Sequence, residues 1–300
     1  MIYLLAFDHR GSFQKKLLGI AGDPTPEEVG RIEEAKSLIF AGFRKALETS
    51  GLPRDGAGIL VDEQFGAGIA HAARELGVVL AMPVEKSGQD EFDFEYGERF
   101  GEHIASFEAT YSKVLVRYNV EGDAELNSRQ AARLARLGDW LHSTGRKFLF
   151  ELLVPAEEHQ LERVGGDGDR YDRELRPELM IAAIEECQSV GVEPDIWKIE
   201  GLDAREDCVR LAKAARAGGR EHVECVVLGR GGDEAKVVHW LRTGASVPGF
   251  VGFAVGRTIW WDPLESWLAG ASADDVARTI ADNYTRLVDA YAEAATAGDT

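Results

Sequence analysis

Basic residues are in deficit in this 300-residue chain: 34 Lys and Arg stand against 52 Asp and Glu, a formal charge of −18. A nucleic-acid binder needs a basic face to displace counterions from phosphates, and docking on anionic lipid needs one too, so neither partner is expected. A small anionic substrate remains open, because one local basic pocket can sit in an acidic protein. No apolar run approaches the ~20 residues that span a bilayer. The apolar start, Met1 to Phe7, has no basic flank and is broken at once by Asp8, His9 and Arg10. It reads as a buried strand rather than a signal peptide. Cysteine is scarce: Cys187, Cys208 and Cys225 are odd in number and form no C-x-x-C. They read as reduced core thiols of a cytoplasmic protein. The seven histidines show no H-x-H, H-x-x-x-H or H-E-x-x-H spacing, so a histidine-bound zinc is not expected. Pro/Ser-rich linkers and internal repeats are missing, and one domain over residues 1–300 is expected. With 45% hydrophobic and 29% charged residues the chain has enough apolar material for a core.

Short apolar runs alternate with long amphipathic stretches. The expected strands are Ile2–Phe7, Gly58–Asp62, Val78–Pro83, Lys113–Tyr118, Lys147–Leu153, Asp195–Ile199, Val223–Leu228 and Gly249–Val255. The expected helices are Pro26–Thr49, Gln64–Leu76, Phe94–Phe107, Glu125–Ser143, Arg176–Val190, Ala204–Ala217, Asp233–Thr243 and Ala273–Ala295. Most strand runs are apolar throughout, as in parallel sheets buried on both faces. Strict alternation with eight strands predicts an α/β fold of the (β/α)8 TIM-barrel type. A doubly wound open sheet fits less well, since the first strand ends in Asp8-His9-Arg10-Gly11-Ser12 and not in a glycine fingerprint. The polar, glycine-rich segment Glu157–Arg176 reads as a long loop after strand five, either a lid or a plain surface excursion.

Barrel chemistry sits at the C-terminal ends of strands, and here those ends are charged. Strand one leads into Asp8 and Arg10, strand three into Glu85 and Lys86, strand four carries Lys113 and Arg117, strand five Glu151, and strand six Lys198 and Glu200. Period-two alternation puts Lys198 on one face with Ile196 and Glu200, Glu151 with Leu149, and Lys113 with Leu115 and Arg117. Charges inside apolar strands are expensive unless paired. For any one residue, a buried ion pair that plugs the barrel is an equal reading. For the set, chemistry is the better one. A lysine in apolar surroundings beside a second cation has a depressed pKa and a nucleophilic amine. That describes Lys198 with Lys113 nearby and Glu151 to shuttle protons, a Schiff-base constellation. After strands seven and eight come Gly229-Arg230-Gly231-Gly232 and Gly256-Arg257, each before a helix. Backbone amides and arginines so placed form a phosphate cup.

These residues resemble the class I aldolases of the tagatose-1,6-bisphosphate aldolase superfamily. Phe7-Asp8-His9-Arg10-Gly11 looks like that family's Phe-Asp-Gln-Arg-Gly opening, and Glu85-Lys86-Ser87-Gly88 like its Glu-Lys-Thr-Gly loop. Lys113, Glu151 and the lysine of Lys198-Ile199-Glu200 match its strand-four lysine, strand-five glutamate and imine-forming lysine. Gly256-Arg257-Thr258-Ile259-Trp260 is similar to its phosphate loop. Within the superfamily the wording of strands one, seven and eight is closer to 2-deoxy-5-keto-gluconate 6-phosphate aldolases of inositol catabolism. His9 in place of glutamine, and Gly229-Arg230-Gly231 in place of a Ser-Ala-Gly type turn, shift the substrate away from ketose bisphosphates.

The resemblance implies a retro-aldolase that needs no metal and no cofactor and acts on a phosphorylated keto sugar or keto sugar acid. Lys198 forms the imine, Glu151 is acid/base, Lys113 supports the lysine and developing oxyanions, and Asp8 positions hydroxyls or the amine. Gly229, Arg230, Gly231, Gly256 and Arg257 hold phosphate. Glu85 lines the substrate site, and Arg10 or Arg117 holds a carboxylate. Implied products are dihydroxyacetone phosphate and malonic semialdehyde. Tagatose-bisphosphate or sulfofructose-phosphate cleavage is the nearest alternative. Two others are a divalent metal on Asp8, Glu85, Glu151 and Glu200 enolising a phosphosugar, and a phosphosugar sensor without turnover. Trp260, Trp261 and Trp267 read as packing or a homo-oligomer contact. The histidines other than His9 read as surface or helix-edge residues.

Overall fold

The alternating pattern closes into a single eight-stranded parallel barrel in the computed structural model, which describes residues 1–298. The strands are β1 (Ile2–Ala6), β2 (Ala57–Leu60), β3 (Val79–Pro83), β4 (Tyr111–Arg117), β5 (Lys147–Leu153), β6 (Ile196–Glu200), β7 (Glu224–Leu228) and β8 (Phe250–Val255). Each pairs with the next, and β8 returns to β1. The helices are α1 (Pro26–Ser50), α2 (Glu63–Leu76), α3 (Phe100–Phe107), α4 (Ala124–Ser143), α5 (Glu158–Arg163), α6 (Gly168–Glu174), α7 (Arg176–Ser189), α8 (Arg205–Ala215), α9 (Glu234–Ala245), α10 (Arg257–Leu268) and α11 (Ala273–Gly298). This is the (β/α)8 barrel that the sequence predicts. Among the described residues no helix is long and apolar enough to cross a membrane.

Local chemistry sets the helix starts. Thr25 caps α1 through a capping box with Glu28, with Pro26 at the first turn. Asp62, Asp123 and Asp233 accept first-turn amides of α2, α4 and α9. Two apolar layers result. Leu4, Ala6, Leu60, Ala81, Leu149, Ile196, Val226 and Ala254 fill the barrel interior. A larger layer between sheet and helices holds Phe43, Trp197, Trp260, Tyr284 and all three cysteines. The thiols are free and buried, as core cysteines should be, and burial raises their pKa.

Four expectations need correction. The helix expected at Phe94–Phe107 begins at Phe100, after one tight turn at Gly97–Arg99, because Phe94 bridges antiparallel to Glu85 and packs on Phe100. The segment Glu157–Arg176 is not a loop. It forms α5 and α6, and Asp167 accepts the amides of Asp169 and Arg170 to start the second. A further helix, α10, was not expected separately. Its Trp260 is fully buried and donates through Nε1 to the carbonyl of Ala6 at 2.9 Å, so this tryptophan is core packing. His103 departs from the surface reading: it is partly buried, bonded to Glu63 and close to Tyr96.

Barrel closure depends on Gly252, the register partner of Ile2. Its φ is +150°, and a Cβ there would lie 1.7 Å from the Ile2 carbonyl oxygen. Backbone cannot yield as a side-chain tip can. Gly252→Ala is therefore expected to destabilise by more than about 3 kcal/mol, read as a lowered urea midpoint. An unchanged midpoint would show that β1 and β8 have slack.

Candidate active site

Every inward-facing position near the C-terminal ends of β4, β5 and β6 carries a long side chain, and register decides which of them meet. Glu151 and Lys198 are direct partners across β5 and β6. Lys113 pairs with Leu149, one layer deeper, so its stem must climb past that apolar layer. Its ammonium then lies 2.8 Å from Asp8 Oδ2, 2.8 Å from Glu85 Oε1 and 3.1 Å from Glu151 Oε2. Lys198 Nζ is 3.0 Å from the same Glu151 oxygen. Two ammonium groups thus share one carboxylate oxygen at the head of the barrel. Lys113 is 1% exposed and Lys198 2%, so water does not screen this cluster.

The charges sort themselves. Burial works against the Lys113 charge, but Asp8, Glu151 and Glu85 outweigh it and hold its pKa well above the usual lysine value. Burial also opposes ionisation of Asp8 and Glu151. The lysines prevail, Lys113 most strongly, and both carboxylates titrate below their ordinary range. Glu85 goes the other way: burial raises its pKa despite Lys113 and Arg10, and its Oε2 is buried without a hydrogen-bond partner. Glu85 is therefore the carboxyl of the three that most readily holds a proton.

Asp8 lies two residues beyond β1, so its loop has to be held from outside the barrel. Lys36 of α1, fully buried, does this: Nζ donates to the carbonyls of Phe7 (2.8 Å) and His9 (3.1 Å) and pairs with Asp62. His9 places its ring edge-on to Trp260 at 5.4 Å. Gly256 starts α10 beside it, and a Cβ on Gly256 would stand 2.2 Å from the Ala6 carbonyl. Arg257 lies flat over Gly231, where a Cβ would come within 2.5 Å of its guanidinium carbon, and donates to the Arg230 carbonyl at 2.6 Å. The glycines therefore permit close backbone approach and not merely tight turning.

The expected site residues Asp8, Arg10, Glu85, Lys113, Arg117, Glu151, Lys198, Gly229, Arg230, Gly231, Gly256 and Arg257 all line one cleft of about 1170 Å³. Their charges are unequally free. Arg230 is paired with Glu200 Oε1 (2.8 Å) and Asp172 Oδ2 (2.5 Å). Arg10 is held by the Glu85 carbonyl (2.6 Å) and Glu95 (3.2 Å). Arg257 and Arg117 have no carboxylate within ion-pair distance among the described residues. The four carboxylates considered as a metal set do not converge: Glu200 faces Arg230 and Arg176, and the other three close on Lys113 Nζ. An ammonium thus stands where a bound cation would need to be.

Sequence reasoning missed three contributors. Lys36 sits on a helix face that periodicity assigns to the core, and a lysine there was the available signal. Asp172 and Tyr171 reach the cleft on α6, where Tyr171 also donates to the Val154 carbonyl at 2.9 Å. No spacing rule points to them. His9 reads in the sequence as a departure that shifts substrate preference, with no catalytic part.

The chain is thus a (β/α)8 barrel with a buried two-lysine, three-carboxylate centre and a glycine–arginine cup at one mouth. It belongs to the family described as "Uncharacterized protein conserved in bacteria (DUF2090)", whose model matches residues 1–295. It is also 26% identical over 209 residues to tagatose 1,6-diphosphate aldolase of Lactococcus lactis, covering 66% of this chain and 57% of that protein. It is 29% identical over 168 residues to tagatose 1,6-diphosphate aldolase 2 of Streptococcus pyogenes, covering 52% of this chain and 46% of that one. The chain thus spans about half the length of the curated relatives it matches. Solved structures share the fold. Fructose-bisphosphate aldolase of Plasmodium falciparum superposes with a TM-score of 0.63 at 14% identity, over 96% of this chain and 90% of that one. A Schiff-base-forming fructose-1,6-bisphosphate aldolase gives 0.54 at 17% identity, over 94% and 93%. Cgl0159 of Corynebacterium glutamicum gives 0.59 at 16% identity, over 96% and 85%.

Lys113→Met leaves three buried carboxyl groups around an uncharged side chain and is expected to cost about 3–5 kcal/mol at pH 7, measured by urea unfolding. Asp8 and Glu151 titrate lower folded than unfolded, so their stabilisation is present above the unfolded value of roughly 4 and is lost as pH falls. Lys113 titrates higher folded, so its share persists up to the unfolded lysine value of about 10 and is lost above it. The penalty of Lys113→Met should accordingly shrink toward pH 4. A penalty independent of pH would mean that packing, not charge, is what the lysine supplies.

Proposed function

We propose that this protein is a class I aldolase that cleaves a phosphorylated keto sugar or keto sugar acid through an imine on Lys198. The observation that carries the reading is the sharing of one Glu151 oxygen by Lys198 (3.0 Å) and Lys113 (3.1 Å), in the cleft that also holds Gly256 and Arg257. An amine that attacks a ketone must give up a proton and later lose water from a carbinolamine. Glu151, in contact with Nζ, is placed to carry both protons. Lys113, whose pKa is raised, stays cationic throughout and stabilises negative charge as it develops. The iminium then draws the electron pair of the breaking carbon–carbon bond, and Asp8 orients the substrate hydroxyl.

The phosphate rests on the amides of Gly229, Gly231 and Gly256, at the N-terminus of α10, with Arg257 as the free guanidinium. Arg230 joins only if the phosphate takes the place of Asp172 on it, a contact that ties α6 to the mouth. Glu85 and Arg10 line the other side. Of the two arginines considered for a carboxylate, Arg117 is the one without an acidic partner. The particular substrate we favour is 2-deoxy-5-keto-D-gluconate 6-phosphate, cleaved to dihydroxyacetone phosphate and malonic semialdehyde in inositol catabolism. The motif resemblance and the unpaired Arg117 support that choice. The reading takes residues 1–300 as one catalytic domain, acting in the cytoplasm without a cofactor.

Borohydride added with dihydroxyacetone phosphate should leave a three-carbon adduct on Lys198, located by peptide mass mapping. An intact, phosphate-binding protein that traps no adduct would sink the imine mechanism. Arg257→Ala should raise KM at least tenfold with kcat changed only a few-fold, since phosphate is gripped alike in ground and transition states. Ranking kcat/KM for the keto-gluconate phosphate against tagatose 1,6-bisphosphate tests the substrate; a preference for the bisphosphate would replace it.

A further inference from the structure

One nitrogen in the cleft is left over. His9 Nδ1 is buried and has no hydrogen-bond partner. Asp8 Oδ1 stands 3.9 Å from it, too far for a hydrogen bond. The other Asp8 oxygen is engaged by Lys113 at 2.8 Å. A ring nitrogen and a carboxylate oxygen without a hydrogen bond between them therefore lie side by side, on residues that line the same cleft as Lys198.

Building on the aldolase reading, we propose that His9 is a catalytic base of this site. It accepts, through Nδ1, the proton of the substrate hydroxyl that becomes the aldehyde. In that step the O–H bond breaks and its proton moves to Nδ1. The oxygen's electron pair forms the C=O, and the carbon–carbon pair flows into the Lys198 iminium to give an enamine. The imidazolium then returns its proton to water, the enamine carbon takes one from water, and hydrolysis frees the ketone product and Lys198. For Nδ1 to accept, the ring hydrogen resides on Nε2.

Three features of the site support this assignment over Asp8 or Glu151 as the base. The position of His9 is fixed by its neighbours: Lys36 holds its carbonyl at 3.1 Å, Trp260 meets the ring edge-on, and Gly256 leaves room for Cε1. The charged groups facing it are Asp8, Glu151, Lys198 and Arg257. Burial pushes the imidazole down to about 4, Arg257 and Lys198 add to that, and Asp8 and Glu151 oppose it. The ring is therefore neutral at pH 7, with its lone pair available. Asp8 is held well below the ordinary carboxylate range, chiefly by Lys113 against the effect of burial, and is the weaker base of the two. Glu151 already has both ammonium groups on one oxygen. A phosphate at Arg257 offsets one of the charges that depress His9, so the base strengthens when substrate is bound.

His9→Asn tests this, because an amide oxygen near the Nδ1 position can hydrogen-bond the hydroxyl but cannot take its proton. The variant should keep borohydride trapping of dihydroxyacetone phosphate on Lys198 and keep KM within about threefold. Its kcat for cleavage of 2-deoxy-5-keto-D-gluconate 6-phosphate should fall by about 100-fold or more. Borohydride added during that slow turnover should trap the uncleaved six-carbon adduct on Lys198, where the wild type gives the three-carbon one. Cleavage within tenfold of wild type would overturn the proposal, because Asp8 would then suffice. Loss of trapping with dihydroxyacetone phosphate would also overturn it, by showing that His9 serves imine formation or folding. If the wild type itself traps nothing, the imine reading fails, a result separable from any defect of the variant.

Discussion

A lysine ammonium buried among three carboxyl groups is the constraint on which the rest of this molecule depends. Lys113 cannot lose its partners and stay charged at 1% exposure, and Asp8, Glu85 and Glu151 cannot crowd together without it. The three carboxylates come from the loops after β1 and β3 and from β5, so satisfying one cation draws those elements to a single point. Lys198 is admitted on the far side of Glu151. The cluster is held together by charge, and that charge keeps Lys113 cationic beside Lys198.

Such a cluster keeps its geometry only if the chain around it is held in place, and several contacts of the outer layer do that. Lys36 and Asp62, wholly inside the interface of α1 and α2 with the sheet, hold the backbone on both sides of Asp8. Trp260 ties the start of α10 to the last residue of β1, bringing the Gly256–Arg257 turn against the loop that carries Asp8 and His9. The cup and the lysine centre are therefore joined through the β1 end, and strain at either is felt at the other. At the cup itself, α6 is fastened by Asp172 to Arg230, an ion pair only partly shielded from water and so more easily exchanged than the buried ones.

Most of the architecture was legible beforehand for a simple reason. Strands buried on both faces must be apolar throughout, and helices covering them must be amphipathic, so the alternation is written in the residues themselves. The departures came where local pattern is weak. Phe94 has helical company in sequence but is captured by an antiparallel bridge to Glu85. The segment Glu157–Arg176 has the composition of a loop, yet its capping aspartate and a tyrosine anchored to β5 make helices of it. The site residues were visible as charges at strand ends. Their pairing was not, because period-two alternation says which face a side chain takes and nothing about which neighbour it reaches.

The sequence by itself determined the barrel, the inward set Lys113, Glu151 and Lys198, and the two glycine–arginine turns, because each follows from periodicity, the cost of burying charge, or the steric freedom of glycine. Only the tertiary structure decided that Lys113 rises one layer to meet three carboxylates, that Arg230 is already ion-paired while Arg257 is not, and that His9 Nδ1 comes to 3.9 Å from Asp8 Oδ1. Those outcomes depend on register and on contacts between residues far apart in the chain, and no local pattern encodes distance across a closed sheet.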